Sequence, residues 1–139
     1  MKKILLLCFT AIFMWSCYAP DQHGYFSRKG ESQLELRQIQ TRFFDTDDKK
    51  KMMENAIETL QDLGFVLDNA SYGFGVVSAT KLSGYTLKTT VLVMPRNGGG
   101  ITVRADMRFN GQPVDAPGPY QDFFDALSKA VFLRAQLDE

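Results

Sequence analysis

Apolar and polar residues alternate most regularly in the second half of the chain. From Ile101 to Phe109 every odd-numbered residue is apolar and every even-numbered residue is polar or charged. A strict period of two predicts a β-strand with one buried and one solvated face. Thr86 to Met94 has a similar strand-rich composition, and the RNGGG segment in between supplies residues that tolerate positive φ. The two segments together predict a β-hairpin.

A first helix is predicted in the segment DTDDKKKMMENAIETLQDLG, where apolar residues recur at helical spacing. Asp45 or Thr46 can cap it, and Asp47 and Asp48 would sit in its first turn, where the helix dipole favours anions. Gly64 supplies the left-handed residue that ends many helices. The segment therefore predicts an amphipathic helix that packs one stripe inward.

The last part of the chain predicts a second helix after a loop that contains Pro113, Pro117 and Pro119. Its apolar stripe consists of Tyr120, Phe123, Phe124, Leu127 and Val131. Phe132 and Leu133 widen the stripe, which predicts that this helix lies deep in the core.

Three further strands complete the prediction. Leu34 to Phe44 alternates imperfectly, with Ile39, Thr41 and Phe43 on one face. Phe65 to Asp68 and Gly75 to Leu82 are predicted as strands joined by a turn over residues 69–73. The order β-α-β-β-β-β-α predicts an α+β domain, in which an antiparallel sheet of four to five strands carries two helices on one face.

The N-terminal segment has the layout of an export signal. Lys2 and Lys3 precede an uncharged, mainly apolar run from Ile4 to Trp15. These 12 residues would reach about 18 Å as a helix, whereas a membrane span needs about 30 Å. The run is therefore predicted to direct export without remaining as a span.

The residues after this run, Met14-Trp15-Ser16-Cys17, resemble the lipobox of bacterial lipoproteins. That resemblance implies cleavage after Ser16 and diacylation of Cys17, although Met14 and Trp15 depart from the usual leucine and small residue. The alternative is an ordinary signal peptide with a free Cys17. Tyr18 stands where Asp would favour the inner membrane, so the resemblance implies an outer-membrane anchor facing the periplasm.

The predicted organisation is a signal peptide over residues 1–16, a lipidated N-terminus with a flexible tether over 17–33, and one α+β domain over 34–139. The tether mixes Pro, Gly, Ser and charges without a structural period. Its single histidine, His23, is interpreted as a solvated side chain. The length of 139 residues suits a single domain of this kind.

Net charge narrows the range of partners. Without residues 1–16 the chain carries 14 basic and 16 acidic residues. Nucleic-acid binding usually needs a basic face, so nucleic acid is not expected as a partner. The expected partners are the membrane, through the lipid, and other envelope proteins.

Two segments of the domain support a resemblance to known proteins. DLGFVLDNASYGFGVVSATK and PYQDFFDALSKAVFL resemble segments of a family of small, uncharacterised bacterial lipoproteins, over roughly residues 34–134. The order of a helix, four strands and a helix is also similar to the helix-grip domains of a lipoprotein component of the β-barrel assembly machinery. The first resemblance implies location and fold, and the second concerns topology alone.

Candidate chemical motifs each have a structural explanation. Asp45, Asp47 and Asp48 could suggest a cation site, but an EF-hand counted from Asp45 would place Lys50 and Ala56 where Gly and Glu are needed. The glycine-rich segments 73–75 and 98–100 lack the strand-to-helix context of phosphate loops. Capping and turn roles are therefore preferred, and no metal or cofactor is predicted.

Catalysis is not predicted either. The domain contains no histidine, and cleavage after Ser16 would leave only the acylated Cys17, so the usual nucleophilic triads are excluded. Carboxylates for glycosidase chemistry are available at Asp68, Asp106, Asp115 and Asp122, yet their spacing selects no pair.

The solvated face of the predicted hairpin is the best candidate for a partner surface. It would carry an amphipathic strip formed by Lys88, Leu92, Met94, Arg104, Asp106 and Arg108, with Lys81 nearby. The alternative is an ordinary solvated sheet face. The proline-rich loop from Asn110 to Pro119 is a second candidate, because loops on a rigid scaffold often carry recognition.

Two function classes remain. The first is a non-catalytic binding or accessory subunit of an envelope assembly, suggested by the anchor, the tether and the half-apolar sheet face. The second is a periplasmic carrier of a small molecule or lipid, suggested by the aromatic residues Tyr120, Phe123 and Phe124 and by glycines that permit sheet curvature.

Overall fold

An antiparallel sheet with helices on one side forms the α+β fold that the sequence predicts. The computed structural model describes residues 23–27 and 32–137. The helices are α1 (His23–Phe26), α2 (Gln33–Ile39), α3 (Lys49–Asp62) and α4 (Pro117–Leu137). The strands are β1 (Thr41–Phe44), β2 (Val66–Ser71), β3 (Val76–Leu82), β4 (Thr86–Pro95), β5 (Ile101–Phe109) and β6 (Gln112–Pro113).

The sheet has the strand order β1-β5-β4-β3-β2, and every pair is antiparallel. The predicted hairpin of β4 and β5 is confirmed and forms the centre of the sheet. The short β6 pairs with the end of β5, on the edge that β1 occupies further along the strand. The sheet thus has one two-residue strand more than the four to five that the sequence predicts.

Alternation along the strands gives the sheet one buried face. Val77, Val91 and Val103 point into the core and are almost fully buried. The inward stripe of α3 meets them through Met53 and Leu60. From α4, the residues Tyr120, Phe123, Phe124 and Leu127 join the same core. The two long helices therefore cover one face of the sheet, as predicted.

The predicted strand over residues 34–44 is wrong in its first part. Residues Gln33–Ile39 form helix α2, and only Thr41–Phe44 form a strand. A capping box begins the helix: the Ser32 hydroxyl accepts the Glu35 N–H, and the Glu35 carboxylate accepts the Ser32 N–H. These reciprocal bonds satisfy N–H groups that the first turn leaves free, so the local sequence favours a helix.

The start of α3 also differs from the prediction. Asp48 caps this helix by accepting the Lys51 N–H, at an N···O distance of 2.9 Å. Asp47 instead accepts the N–H of Gly100 in the β4–β5 turn, at 2.8 Å. The helix ends at Asp62, and Gly64 follows with a φ of 83°, as predicted. Asp48 therefore caps the helix, and Asp47 stabilises the β4–β5 turn.

Part of the predicted tether packs against the domain. Residues His23–Phe26 form one helical turn, and Phe26 is only 5% exposed. Its ring stacks on Phe109 with a centroid distance of 4.2 Å. Burial of the Phe26 ring stabilises this packed arrangement although the neighbouring residues are polar. Residues 23–27 therefore differ from the flexible tether that the sequence predicts.

Helix α4 begins earlier and lies less deep than predicted. Pro117 starts the helix, a position where the missing proline N–H is tolerated. Phe132 and Leu133 are 62% and 47% exposed. The last turns of α4 lie alongside α3, so Phe132 and Leu133 are exposed because they stand on the sides of α4 that face away from the core. Arg134 secures this end, since its guanidinium lies 3.2 Å from Glu54 and 2.6 Å from Glu58.

The second strand, β2, is longer than predicted and irregular. It continues to Ser71, and its register with β3 shifts between Leu67 and Asn69. Asp68 sits at this bulge and accepts a hydrogen bond from the Thr80 hydroxyl at 2.7 Å. The turn that follows needs Gly75: its φ is 71°, and a Cβ there would lie 2.4 Å from the Val93 carbonyl oxygen.

A buried polar network joins α4 to the rest of the fold. The Tyr120 hydroxyl donates to the Val114 carbonyl at 2.8 Å and accepts from the Gln40 side-chain amide at 3.2 Å and the Met107 N–H at 3.3 Å. Burial raises the pKa of Tyr120, so the hydroxyl stays neutral and continues to donate. The Gln40 carbonyl in turn accepts the Ala105 N–H at 2.9 Å. One hydroxyl therefore connects α4 with the start of β1, with β5 and with the loop after β6.

The substitution Tyr120→Phe is expected to lower the free energy of unfolding by about 2 kcal/mol. It leaves two buried donors and one buried acceptor without their partner, while the ring stays packed. Chemical denaturation followed by circular dichroism measures the change. Tyr85→Phe is the matched control, because the Tyr85 hydroxyl has no hydrogen-bond partner among the described residues. Equal stability of the two variants would show that the network contributes nothing.

Candidate functional site

The sheet face opposite the helices is exposed, and we call it the open face. All six residues predicted as a partner surface lie on it: Lys88, Leu92 and Met94 from β4, and Arg104, Asp106 and Arg108 from β5. In the register, Lys88 is opposite Arg108, and Leu92 is opposite Arg104. The strict alternation of β5 explains this placement, because residues two apart must share a face.

One end of the open face is apolar. Phe43 of β1, Thr102 of β5 and Met94 of β4 form a row across three strands. Phe43 is 52% exposed and Met94 is 39% exposed. In the next row Leu92 lies opposite Val76 of β3, and both are half-buried. This end presents several apolar side chains to solvent, with Thr102 between Phe43 and Met94.

Phe43 was not predicted as part of this surface. The sequence pattern placed it with Ile39 on one face of a long strand, but β1 begins only at Thr41. The neighbouring Phe44 pairs with the buried Ile101 and packs on the core, so Phe43 must point the other way. The consecutive phenylalanines left the choice of face open in the sequence.

Contacts around its ring hold Phe43 in place. The Arg96 guanidinium lies over the ring, 5.2 Å from its centroid. On another side the ring packs against Gly100, where an added Cβ would lie 2.4 Å from the Phe43 Cε2 atom. The third glycine of the RNGGG turn therefore gives the exposed ring room to lie against the sheet.

The opposite end of the open face is cationic. Lys88 and Arg108 face each other directly across β4 and β5. Within the described part of the chain, neither residue has an ion-pair partner within 4.0 Å. Like charges directly opposite on a sheet destabilise it. The pair therefore costs stability, and the negative charge of Asp106 lies two residues along β5 from Arg108.

Arg104 lies between the two ends of the open face. It stands opposite Leu92 on one side and Thr41 on the other. Its guanidinium donates a long hydrogen bond of 3.4 Å to the Gln40 side-chain oxygen, while the side chain remains exposed. Arg104 thus links the open face to the buried network of Tyr120 and stays accessible to a partner.

Lys81 does not belong to the open face, contrary to the prediction. It pairs with the buried Leu87, and its ammonium group donates to the Leu63 carbonyl at 2.8 Å. The same group lies 5.8 Å from the centroid of the Phe65 ring. Lys81 therefore reaches over apolar surface to the C-terminal end of α3, where a cation is favourable.

The second part of the proline-rich loop is packed into the fold, whereas residues 110–113 are exposed. Val114, Ala116 and Pro119 are buried. Asn110 and Gly111 both have positive φ, 47° and 84°, as a two-residue hairpin turn requires. This loop is therefore structural over much of its length, which does not support the prediction of a second recognition surface.

Asp68 and Asp106, two of the carboxylates considered for catalysis, are not brought together. Asp106 lies on β5 and Asp68 on β2, with two strands between them, so about 14 Å of sheet separates them. Asp122 lies on α4, where it accepts the hydroxyl of Tyr25. Within residues 23–27 and 32–137, no three His, Cys, Asp or Glu side chains group as metal ligands would.

The aromatic residues of α4 that suggested a carrier are packed inside the core. Tyr120, Phe123 and Phe124 are at most 1% exposed. A cavity of about 140 Å³ borders Phe123. Pockets for drug-sized ligands span roughly 300–1,000 Å³, so this cavity does not favour a lipid as the ligand.

The predicted processing residues, Ser16 and Cys17, lie outside the described residues. In the part of the chain that the structure describes, no helix has both the length and the apolar character to cross a bilayer.

Reversing one charge of the cationic pair, in Lys88→Glu, is expected to raise the free energy of unfolding by roughly 0.5 kcal/mol at low salt, because an ion pair replaces a repulsion. Lys88→Gln should give a smaller gain, since it removes only the repulsion. Urea denaturation at low and high salt measures both changes, and screening should reduce them. A Lys88→Glu protein no more stable than the wild type at low salt would contradict this account of the pair.

Compared with known proteins, the chain matches no family model and no curated sequence. The resemblances to small bacterial lipoproteins and to helix-grip domains therefore stay predictions, made from sequence segments and from topology.

Proposed function

We propose that this chain is a membrane-anchored lipoprotein of the bacterial cell envelope and acts there as a non-catalytic binding or accessory subunit of an envelope assembly. The open face is the observation that carries the proposal. It combines exposed apolar side chains at one end with two cations at the other that have no ion-pair partner among the described residues. A partner that covers this face would bury the apolar side chains and could pair with the cations.

The unpaired cations give the proposal its energetic support. Lys88 and Arg108 repel each other in the isolated chain, and the described residues supply neither with an ion-pair partner. An acidic partner would relieve the repulsion and gain attraction at the same place. A surface selected only for stability would not keep two cations directly opposite each other.

The spacing of the two ends defines the partner that fits. Met94 and Lys88 are six residues apart on β4, which corresponds to about 20 Å along the strand. The complementary surface therefore carries apolar side chains at one end and carboxylates about 20 Å away. Arg104 lies between them, and its guanidinium can donate to a further carboxylate or to a carbonyl oxygen.

The proposed anchor is lipid on Cys17, attached to an outer-membrane leaflet that faces the periplasm. Its support is the resemblance of Met14-Trp15-Ser16-Cys17 to a lipobox, after an apolar run too short to span the bilayer. Each buried methylene contributes about 0.8 kcal/mol, so two or three acyl chains hold far more strongly than one. The domain would then meet its partner at the membrane surface.

The substitution Cys17→Ser is expected to abolish labelling by an alkyne fatty-acid analogue and to move the protein from the membrane pellet to the periplasmic fraction. The physical reason is that the predicted signal run is too short to span the bilayer, and no helix among the described residues is long and apolar enough to do so. The control is Cys8→Ser, which changes the other cysteine within the predicted signal and should leave labelling intact. An unlabelled wild-type protein, or a Cys17→Ser protein still in the membranes, would refute the anchor.

Site-specific photo-crosslinking tests the open face in intact cells. A benzophenone side chain at Phe43 or Met94 is expected to give one discrete adduct with an envelope protein. The double variant Arg104→Glu/Arg108→Glu should reduce the adduct several-fold, because it reverses the charges that face the partner. The same probe at Lys129, an exposed residue of α4, is the matched control and should give no such adduct.

Adducts of equal yield from Lys129 and Phe43 would contradict the proposal. An adduct at Phe43 whose yield is the same in the wild type and in the double variant would also contradict it. Circular dichroism of the double variant establishes that it is folded. Both substituted arginines are exposed, so the variant should keep the native fold.

A further inference from the structure

A half-open cavity lies on the helix side of the sheet, away from the open face. It sits between α1, the start of α4 and the strands β3 to β5, and its volume is about 140 Å³. The side chains that form its apolar walls are Phe26, Phe65, Tyr85, Leu87, Met107 and Phe123. Four of these six are aromatic, so a flat ring would find stacking and edge contacts on several sides.

The size of the cavity limits what can occupy it. An engineered apolar cavity of about 150 Å³ accepts one benzene molecule. A space of about 140 Å³ is therefore matched to a single six-membered ring and is too small for an acyl chain. A ring of benzene size would fill this space.

The rim of the cavity adds a polar group. Asp122 of α4 lies there with an exposed carboxylate, and it accepts a hydrogen bond from the hydroxyl of Tyr25. A carboxylate has about four lone-pair positions, so a second donor can bind beside Tyr25. Partial burial, followed by the bond to Asp122, raises the pKa of Tyr25 to about 12, which keeps this phenol neutral. The side chain of Tyr25 is thus a phenol, supplied by the chain itself, that is hydrogen-bonded to Asp122 at the rim.

The other charged group at the cavity is already engaged. The Lys81 ammonium donates to the Leu63 carbonyl and lies over the Phe65 ring. Asp122 is therefore the group that selects the polar substituent of an occupant, and it selects a hydrogen-bond donor.

We propose that this cavity is a binding site for one benzene-sized aromatic ring that carries a hydrogen-bond donor, as a phenol does, with the ring among the apolar walls and the donor on Asp122. The proposal is independent of the open face, because the cavity-lining residues of β4 and β5, Leu87 and Met107, point to the opposite side of the sheet. The ring can come from a free phenolic compound or from a tyrosine side chain of a partner.

Phe26 sets the upper limit on the size of the ring. It forms one wall and stacks on Phe109, yet it belongs to a single helical turn of four residues. Phe26→Ala would enlarge the cavity at the wall that α1 provides, and it would remove the ring that stacks on Phe109. The variant is expected to accept 2-naphthol, which the wild type excludes.

The test is titration of the purified full chain with phenol and with toluene, followed by methyl NMR. Phenol should give saturable shifts at the methyl groups of Leu87 and Met107, whereas the methyl groups of Leu92 and Val76 on the open face should not move. Toluene has nearly the same shape without the donor, so it should bind more weakly.

Asp122→Asn separates the role of the carboxylate from that of the walls. It should weaken phenol binding about tenfold, because a charge-assisted hydrogen bond becomes a neutral one, and leave toluene unchanged. Asp125→Asn, an exposed acid on the same helix that does not line the cavity, is the matched control. Both substitutions are at exposed positions, so the fold should persist.

A comparison of phenol with the peptide Gly-Tyr-Gly identifies the source of the ring. If the peptide binds at least tenfold more tightly than phenol, the site is assigned to a partner tyrosine. If the ratio is smaller than tenfold, the site is assigned to a free phenol. Three results would overturn the proposal: no saturable shift at Leu87 and Met107 with phenol, equal shifts at Leu92, or an Asp122→Asn protein that binds phenol as the wild type does.

Discussion

The hydroxyl of Tyr120 is the point on which the arrangement of the two layers depends. It is buried, and its three hydrogen bonds reach the Gln40 side chain, the Met107 N–H and the Val114 carbonyl. Buried donors and acceptors without partners are costly, so α4 docks favourably only when all three groups are in place. The network therefore fixes α4 on one side of the sheet, where its apolar stripe completes the core. The other side is left without a covering helix among the described residues, and that arrangement creates the open face.

Strong local periodicity is what made much of this fold predictable. The strict alternation from Ile101 to Phe109 determined which residues of β5 face the core, and the glycines after Arg96 located the turn of the hairpin. Because the odd-numbered residues of β5 face the core, Arg104, Asp106 and Arg108 must share the outer face. The helical stripe of α3 and the glycine at its end were equally local signals. The fold class and the predicted surface residues followed from such patterns alone.

The errors arose where distant contacts decide the outcome. Phe26 is buried by stacking on Phe109, a partner far away in sequence. Lys81 shares the face of the buried Val77 and Ala79 on β3 and donates there to the Leu63 carbonyl, and Phe132 is exposed because it stands on a side of α4 that faces away from the core. Some signals were local and still missed. Ser32 with Glu35 is a typical capping box, and the segment Asn110-Gly111 is typical of a two-residue hairpin turn.

The bulge in β2 has a consequence for how the chain can associate. In the described part of the chain β2 is the last strand of the sheet, and a free strand edge invites pairing with a strand of another molecule. The register shift between Leu67 and Asn69 interrupts the row of evenly spaced backbone groups, and the charge of Asp68 sits at the interruption. Edge-to-edge growth of the sheet into fibrils is thereby discouraged, so copies of this chain can be concentrated without pairing through β2.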